Sequence, residues 1–222
     1  MTMKRAVFLS LLLCLPLLGA AGAQAQKVAF PPRVFLTNDQ KAELKRVSAY
    51  LNTLKSVQGR FMQIAPDGRS IEGEFYLKKP GRLRFEYDKP SPILIVADGS
   101  SVAVTNSNLK TTDRYPLINS PLRLLLSDNI DLSSDSRVVS VVKEPGALSF
   151  TARENSGPAP GSITLQLADS GGPTGLELRQ WEVLDAQGVR TKVVLNDLRQ
   201  VADIPPQKFV IQELSPFKKG NN

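Results

Sequence analysis

The chain has 222 residues, is 41% hydrophobic, and sets 28 Lys and Arg against 21 Asp and Glu for a formal charge of +7 at neutral pH. It contains no histidine and one cysteine, so the usual metal ligand, the usual general base at neutral pH and disulfide staples are missing, and neither metal nor cofactor is expected. The positive charge is dispersed, in pairs such as Lys78-Lys79 and Lys218-Lys219, with no basic run interleaved with aromatics; nucleic acid is therefore not an expected partner, while weak attraction to anionic lipid or an acidic partner is.

Residues 1–25 read as an export signal. Lys4 and Arg5 precede an apolar run over 6–18, and Ala23-Gln24-Ala25 fits the A-x-A cleavage pattern. Cleavage is expected after Ala25, with Ala23 as the second choice. Cys14 lies inside the apolar run and leaves with it, and the bulky Leu13 before it does not suit lipoprotein processing. No later apolar stretch approaches the roughly 18 residues needed to span a bilayer. The expectation is a periplasmic protein whose residues 26–222 form one domain held together by burial alone.

An extended lead-in over 26–36, containing Pro31-Pro32, is followed by a helix capped at Thr37 or Asn38, with Gln40 placed as in a capping box. Leu44, Val47, Leu51 and Leu54 form one apolar stripe, broadened by Tyr50, and the helix is expected to end near Ser56. The period then changes to two. Ile71, Gly73, Phe75 and Leu77 alternate with Glu72, Glu74, Tyr76 and Lys78, and Leu83, Phe85 and Tyr87 alternate with Arg82, Arg84 and Glu86. That is the pattern of half-buried antiparallel strands. Further strand-like runs cover 93–97, 102–105, 138–142, 148–152, 163–168, 176–183, 192–198 and 209–213, separated by turn signals such as Asp98-Gly99, Pro145-Gly146 and Gln187-Gly188. Such spacing predicts a sandwich or barrel built from one meandering sheet, with a long loop over 155–161.

One segment interrupts the strands. Ser120-Pro121 is a good helix start, and Leu122, Leu124, Leu125 and Leu126 follow. A helix of about two turns, apolar around most of its circumference, is either a plug for the core of a sheet or a lid over an apolar cavity. Both readings place the leucines inside.

The candidate catalytic groups are decoys. Ser100 and Ser101 follow Asp98-Gly99 in a hairpin turn and have no histidine to activate them. Glu72 and Glu74 mimic a glycosidase pair, but alternating charges on a strand describe a solvated face. Asp128, Asp131 and Asp135 lack the spacing and glycine of a calcium loop. Gly171-Gly172 precedes no phosphate-binding lysine, and Trp181 reads as packing. No enzyme is expected.

The run Lys78-Lys79-Pro80-Gly81-Arg82-Leu83-Arg84-Phe85-Glu86-Tyr87-Asp88-Lys89-Pro90 resembles the strand–turn–strand signature of the periplasmic lipoprotein carriers, the LolA family. Gly59-Arg60-Phe61-Met62-Gln63 is similar to the family's first strand, 93–99 to its strand ending in Asp-Gly, and Ser120-Pro121-Leu122 stands where the family places its lid. The resemblance runs from the first helix to Phe209, and 73–99 is its specific part. It implies a mainly β fold with helices: an unclosed antiparallel half-barrel of about eleven strands, with a helical lid over an apolar cavity.

The resemblance further implies a chaperone that shields the acyl chains of lipoproteins between the inner and outer membranes. Acylated lipoproteins would be its cargo. An inner-membrane ABC exporter would be the donor, an outer-membrane receptor the acceptor, and contact with the membrane surface transient. The cavity residues it points to are Phe61, Leu83, Phe85, Tyr87, Leu94, Leu122, Leu125 and Leu126, with Leu83 also the exporter contact. Lys79 occupies the position of a basic residue, usually Arg, that latches the lid, although lysine lacks arginine's planar fork. Alternative readings are a carrier of another envelope lipid, a sensor of lipid or lipoprotein on the same fold, and a hydrolase using Ser and Lys.

Overall fold

The computed structural model describes residues 35–214 except Pro121, 155–160, 172–174 and Ala186, together with the side chains of these residues other than Asn119 and Glu154. The expected signal, the Pro31-Pro32 lead-in and nearly all of the expected loop over 155–161 lie outside these residues.

Helix α1 spans Asn38–Thr53. Thr37 closes a capping box: its Oγ1 accepts from the Gln40 N–H at 3.2 Å, and Gln40 Oε1 accepts from the Thr37 N–H at 3.0 Å. Leu44, Val47, Ser48 and Leu51 form its buried stripe. The helix stops three residues short of Ser56, because Ser56 already opens the first strand.

Eleven strands follow: β1 Ser56–Ile64, β2 Ser70–Lys78, β3 Arg82–Tyr87, β4 Ile93–Asp98, β5 Ser101–Asn106, β6 Thr111–Pro116, β7 Val138–Glu144, β8 Ala147–Glu154, β9 Gly161–Asp169, β10 Leu176–Leu184 and β11 Arg190–Gln200. They form one antiparallel sheet in the order β6-β5-β4-β3-β2-β1-β11-β10-β9-β8-β7. Pairing of β1 with β11 joins two hairpin ladders into a single curved wall. Strands β6 and β7 are its two edges, so the sheet does not close. The expected unclosed half-barrel of about eleven strands is what the chain forms.

Most strands bury alternate residues, and the buried set merges with α1 into one continuous apolar cluster on the concave face. Strand β6 was not anticipated. Its sequence, TTDRYP, is polar, and an exposed edge strand needs no apolar alternation. The last described residues run beside it: Thr112 Oγ1 donates to the Gln212 carbonyl at 2.9 Å and accepts from the Leu214 N–H at 3.0 Å. Arg114 pairs with Asp98 and Glu213.

Two expectations fail on the convex face, for one reason. The run 209–213 is not a strand; a 3₁₀ turn over Pro206–Phe209 precedes an irregular segment, as the donor-less Pro205-Pro206 pair favours. Phe209 and Ile204 lie on the outside of the sheet against Val96, with Tyr76, Leu94, Val201 and Ile211 around them. Lys208 Nζ sits 4.4 Å from the Tyr76 ring centroid, and Arg84 donates to the Lys208 carbonyl at 3.2 Å. Leu94 therefore does not belong to the concave face. It pairs with Glu86, while Ile95 pairs with Phe85 and Ala97 with Leu83. Because the last segment covers β4 from outside, 93–97 is apolar on both faces, and alternation no longer tells inside from outside.

The leucine segment is shorter than expected. A 3₁₀ turn, Leu117–Asn119, precedes a single-turn helix α2, Arg123–Leu126. Ser120 does not cap a longer helix; its Oγ accepts from the Leu122 N–H at 3.2 Å in a local turn, and Leu122 occupies the cap position without a side-chain bond.

Candidate functional site

Rings from three parts of the sheet converge on the concave face. Phe61 from β1 meets Phe85 edge-on at 4.8 Å and Tyr87 at 5.0 Å between centroids. Phe75 from β2 lies 5.4 Å from Phe85 and 5.9 Å from Trp181 of β10, which is 6.0 Å from Phe85. Gly73 makes room for this packing: a Cβ there would lie 2.7 Å from the Phe61 ring and 2.2 Å from the Glu86 carbonyl oxygen. Tyr87 is buried, its hydroxyl donating to Gln63 Oε1, and desolvation holds its pKa far above the usual phenol range.

Leu122, Leu124, Leu125 and Leu126 join the same cluster, none more than 4% exposed. The concave face is thus an apolar trough with α2 laid into it. A cleft of about 450 Å³ runs past α2 on another side, lined by Leu124, Ser127, Asn129, Ile130, Asp135 and Arg137 among others. The segment after α2 is tied to α1: Asn52 holds both backbone groups of Ile130 at 2.9 Å, and Ser48 Oγ accepts from the Leu132 N–H at 2.9 Å. Lys55 pairs with Asp128 at 3.2 Å.

Lys79 does not bond to α2. Its Nζ, 7% exposed as a residue, donates to the Leu51 carbonyl at 2.8 Å, which also accepts from the Leu54 N–H at 3.2 Å where the last turn of α1 closes. Burial pushes its pKa down to about 8; the Lys55 charge adds to this and Asp128 opposes it. The hairpin between β2 and β3 reaches α2 one turn further on, through the backbone, where the Gly81 N–H donates to the Leu126 carbonyl at 2.9 Å. Gly81 has φ +75° and its Cβ position lies 2.7 Å from Gly99 Cα, so only glycine fits that approach.

Phe61, Leu83, Phe85, Tyr87, Leu122, Leu125 and Leu126 are brought together on the trough, and Leu94 is not. Leu83, expected as the exporter contact, is 1% exposed and so is not a surface residue in this arrangement. Phe75 and Ile95 are trough residues that sequence reasoning did not assign to the cavity, and Trp181, read there as packing, is buried beside them. Alternation with Leu77 and the pairing opposite Phe85 were the available signals for Phe75 and Ile95. For Trp181 there was none, because a bulge between Leu178 and Gln180 resets the alternation of β10.

The decoys resolve as surface structure. Asp98 Oδ1 caps the turn by accepting from the Ser100 and Ser101 N–H groups. Glu72 and Glu74 pair with Arg60, which Asp88 also holds. Asp131 accepts from Ser133 and Ser134, and Asp135 pairs with Arg137. Among the described residues, no three His, Cys, Asp or Glu side chains group as a metal site, and no helix is long and apolar enough to cross a membrane.

A 31%-identical relative is the outer-membrane lipoprotein carrier protein of Alkalilimnicola ehrlichii, aligned over 183 residues, 78% of this chain and 81% of the relative. The carrier protein of Pseudomonas aeruginosa strain PAO1 is 24% identical over 192 residues, 79% of this chain and 90% of the relative. A crystal structure of a LolA superfamily protein from Nitrosomonas europaea aligns with 78% of this chain and 97% of its own at 11% identity and a TM-score of 0.42. The model of the outer membrane lipoprotein carrier protein LolA matches residues 52–212, which takes in every strand, the whole trough and α2, and the chain belongs to that family.

Proposed function

We propose that this protein is a periplasmic chaperone that catalyses no reaction and carries acylated lipoproteins from the inner to the outer membrane, their acyl chains lying in the trough that α2 now fills. Residues 1–25 serve as the export signal, and 26–222 act as one carrier domain. The observation that carries this reading is the cover itself: three leucines on a single turn without a side-chain cap, with Leu122 just before it, laid on an unclosed aromatic-lined sheet.

The magnitudes make such a cover exchangeable. Burying four leucines is worth roughly 6–12 kcal/mol at full transfer value. One acyl chain of about sixteen carbons is worth about 12 kcal/mol at 0.8 per methylene. One acyl chain and the lid therefore compete on nearly equal terms, so reclosure of the lid offsets part of what the cargo gains by burial and favours release without a nucleotide. Displacing α2 also uncovers Leu83, which would allow an inner-membrane ABC exporter to dock there; an outer-membrane receptor would take the cargo at the far side. Lys79 acts on the lid at one remove, by fixing the β2–β3 hairpin to α1 so that Gly81 can reach Leu126.

The test is to purify the protein from the periplasm and identify what accompanies it by mass spectrometry. Acylated lipoprotein in stoichiometric amount is the expected result. A free envelope lipid would replace this reading with a carrier of that lipid, and an empty protein that takes up no tripalmitoylated lipopeptide would overturn it.

A further inference from the structure

Trp181 is fully buried, yet its indole Nε1–H has no hydrogen-bond partner among the described residues. Tryptophan N–H groups usually find an acceptor when buried, because an unmet donor forfeits its hydration for nothing. Its surroundings offer none: Phe75 and Phe85 flank the ring, and Leu165 and Val193 stand opposite it on the neighbouring strands. Three polar groups packed beside the apolar cluster are bonded. Tyr87 bonds Gln63, the Tyr50 hydroxyl accepts from the Leu178 N–H at 2.9 Å, and Ser48 both donates and accepts.

Position sharpens the point. β10 and β2 are separated in the sheet by β11 and β1, so the Trp181–Phe75 contact spans the curve of the wall. The unpaired donor thus sits in the middle of the trough, and phenylalanine would supply the apolar ring without it. Methylenes offer no acceptor. The strong acceptor that enters with an acyl chain is the carbonyl oxygen at its head.

We infer that Trp181 is a cargo-recognition residue whose N–H binds an ester or amide carbonyl of a long-chain acyl group once α2 is displaced, setting how deep the chain enters. This rests on the carrier reading above. The carbonyl can belong to a lipoprotein or to a free lipid.

Trp181→Phe keeps the ring and removes the donor. Its binding should be compared with wild type for dipalmitoyl phosphatidylglycerol, for the dihexadecyl ether counterpart that lacks carbonyls, and for a tripalmitoylated lipopeptide. Wild type should prefer diester to diether about fivefold, and the variant should bind the two alike while melting no lower than wild type when empty. Loss on the lipopeptide by the same factor assigns the contact to lipoprotein cargo; loss on the diester alone assigns it to free lipid. Because Trp181 is the chain's one tryptophan, wild-type emission gives a second readout: the diester should shift it and the diether should not, which decides the matter even if the variant fails to fold. A variant that keeps the ester preference, or a wild type that has none, overturns the inference. If wild type binds none of the three probes, the carrier reading itself falls.

Discussion

Helices α1 and α2 bury leucines in the same cluster, but they are held there differently. α1 has four turns, a closed capping box, and polar ties at several points: Arg46 to Asp169 at 2.8 Å, Glu43 to Lys143 at 2.5 Å, Gln40 to the Val141 carbonyl at 3.2 Å and Tyr50 to Leu178. α2 is one turn with no side-chain cap, joined to the β2–β3 hairpin by the Gly81–Leu126 backbone bond. A single turn does not repay helix nucleation by itself, so α2 persists because its leucines have somewhere to lie. Burial alone therefore does not separate a scaffold from the cover that the proposed function makes of α2. Directional bonds do, since they fix an element where apolar contact would let a competing apolar ligand take its place.

The largest expected effect separates the two helices directly. Leu51→Ala should cost about 2–5 kcal/mol in urea unfolding, as for other buried leucines. Leu125→Ala removes an equally buried side chain, but its cost is capped by the free energy of lifting α2 off the trough, because beyond that the native state simply opens. Its unfolding midpoint should fall distinctly less, while the Leu126 amide exchanges faster with solvent. Equal losses for the two variants would show that α2 belongs to the cooperative fold and not to a movable cover.

A smaller effect tests the junction through which α1 steadies the hairpin. The pKa of Lys79 is lowered on folding, to about 8, so between that pH and about 10.4 the unfolded chain holds a proton that the folded protein has released. Stability from this group is therefore lowest below pH 8, rises as pH climbs through the folded pKa, and levels off above the unfolded one. Comparing wild type with Lys79→Met from pH 7 to 10 by urea unfolding should show that rise only in wild type. Parallel profiles would mean that the ammonium is already well solvated.

The smallest effect concerns the cap. Thr37→Ala removes the side-chain acceptor of the capping box and should cost about 1 kcal/mol of global stability, leaving exchange at Leu126 unchanged. If α2 amides exchanged faster in that variant, the two helices would be coupled and their contrast would weaken.

Much of this was legible in the sequence because it depends on local periodicity. Thr37 and Gln40 announce the start of α1, the stripe of Leu44, Val47 and Leu51 gives its buried face, and the alternation through Phe75, Leu77, Leu83 and Phe85 gives both the strands and their inward side. Decisions that depend on what lies over a strand were not legible. Leu94 and Ile95 are both apolar, and only the placement of Ile204 and Phe209 on the convex face makes Leu94 an outer residue. Strand β6 exists because β5 offers it an open edge, not because TTDRYP favours a strand. Lys79 could be recognised as a basic residue before a turn, but its acceptor is Leu51, 28 positions earlier, chosen because the hairpin folds onto the last turn of α1. The sequence by itself thus determined the elements and their inner faces, which short-range side-chain spacing encodes. Tertiary structure alone decided which face was covered twice, where the lysine found its carbonyl, and that the Trp181 donor would lie in the trough with nothing to bind, since each depends on segments that meet only after the sheet has curved.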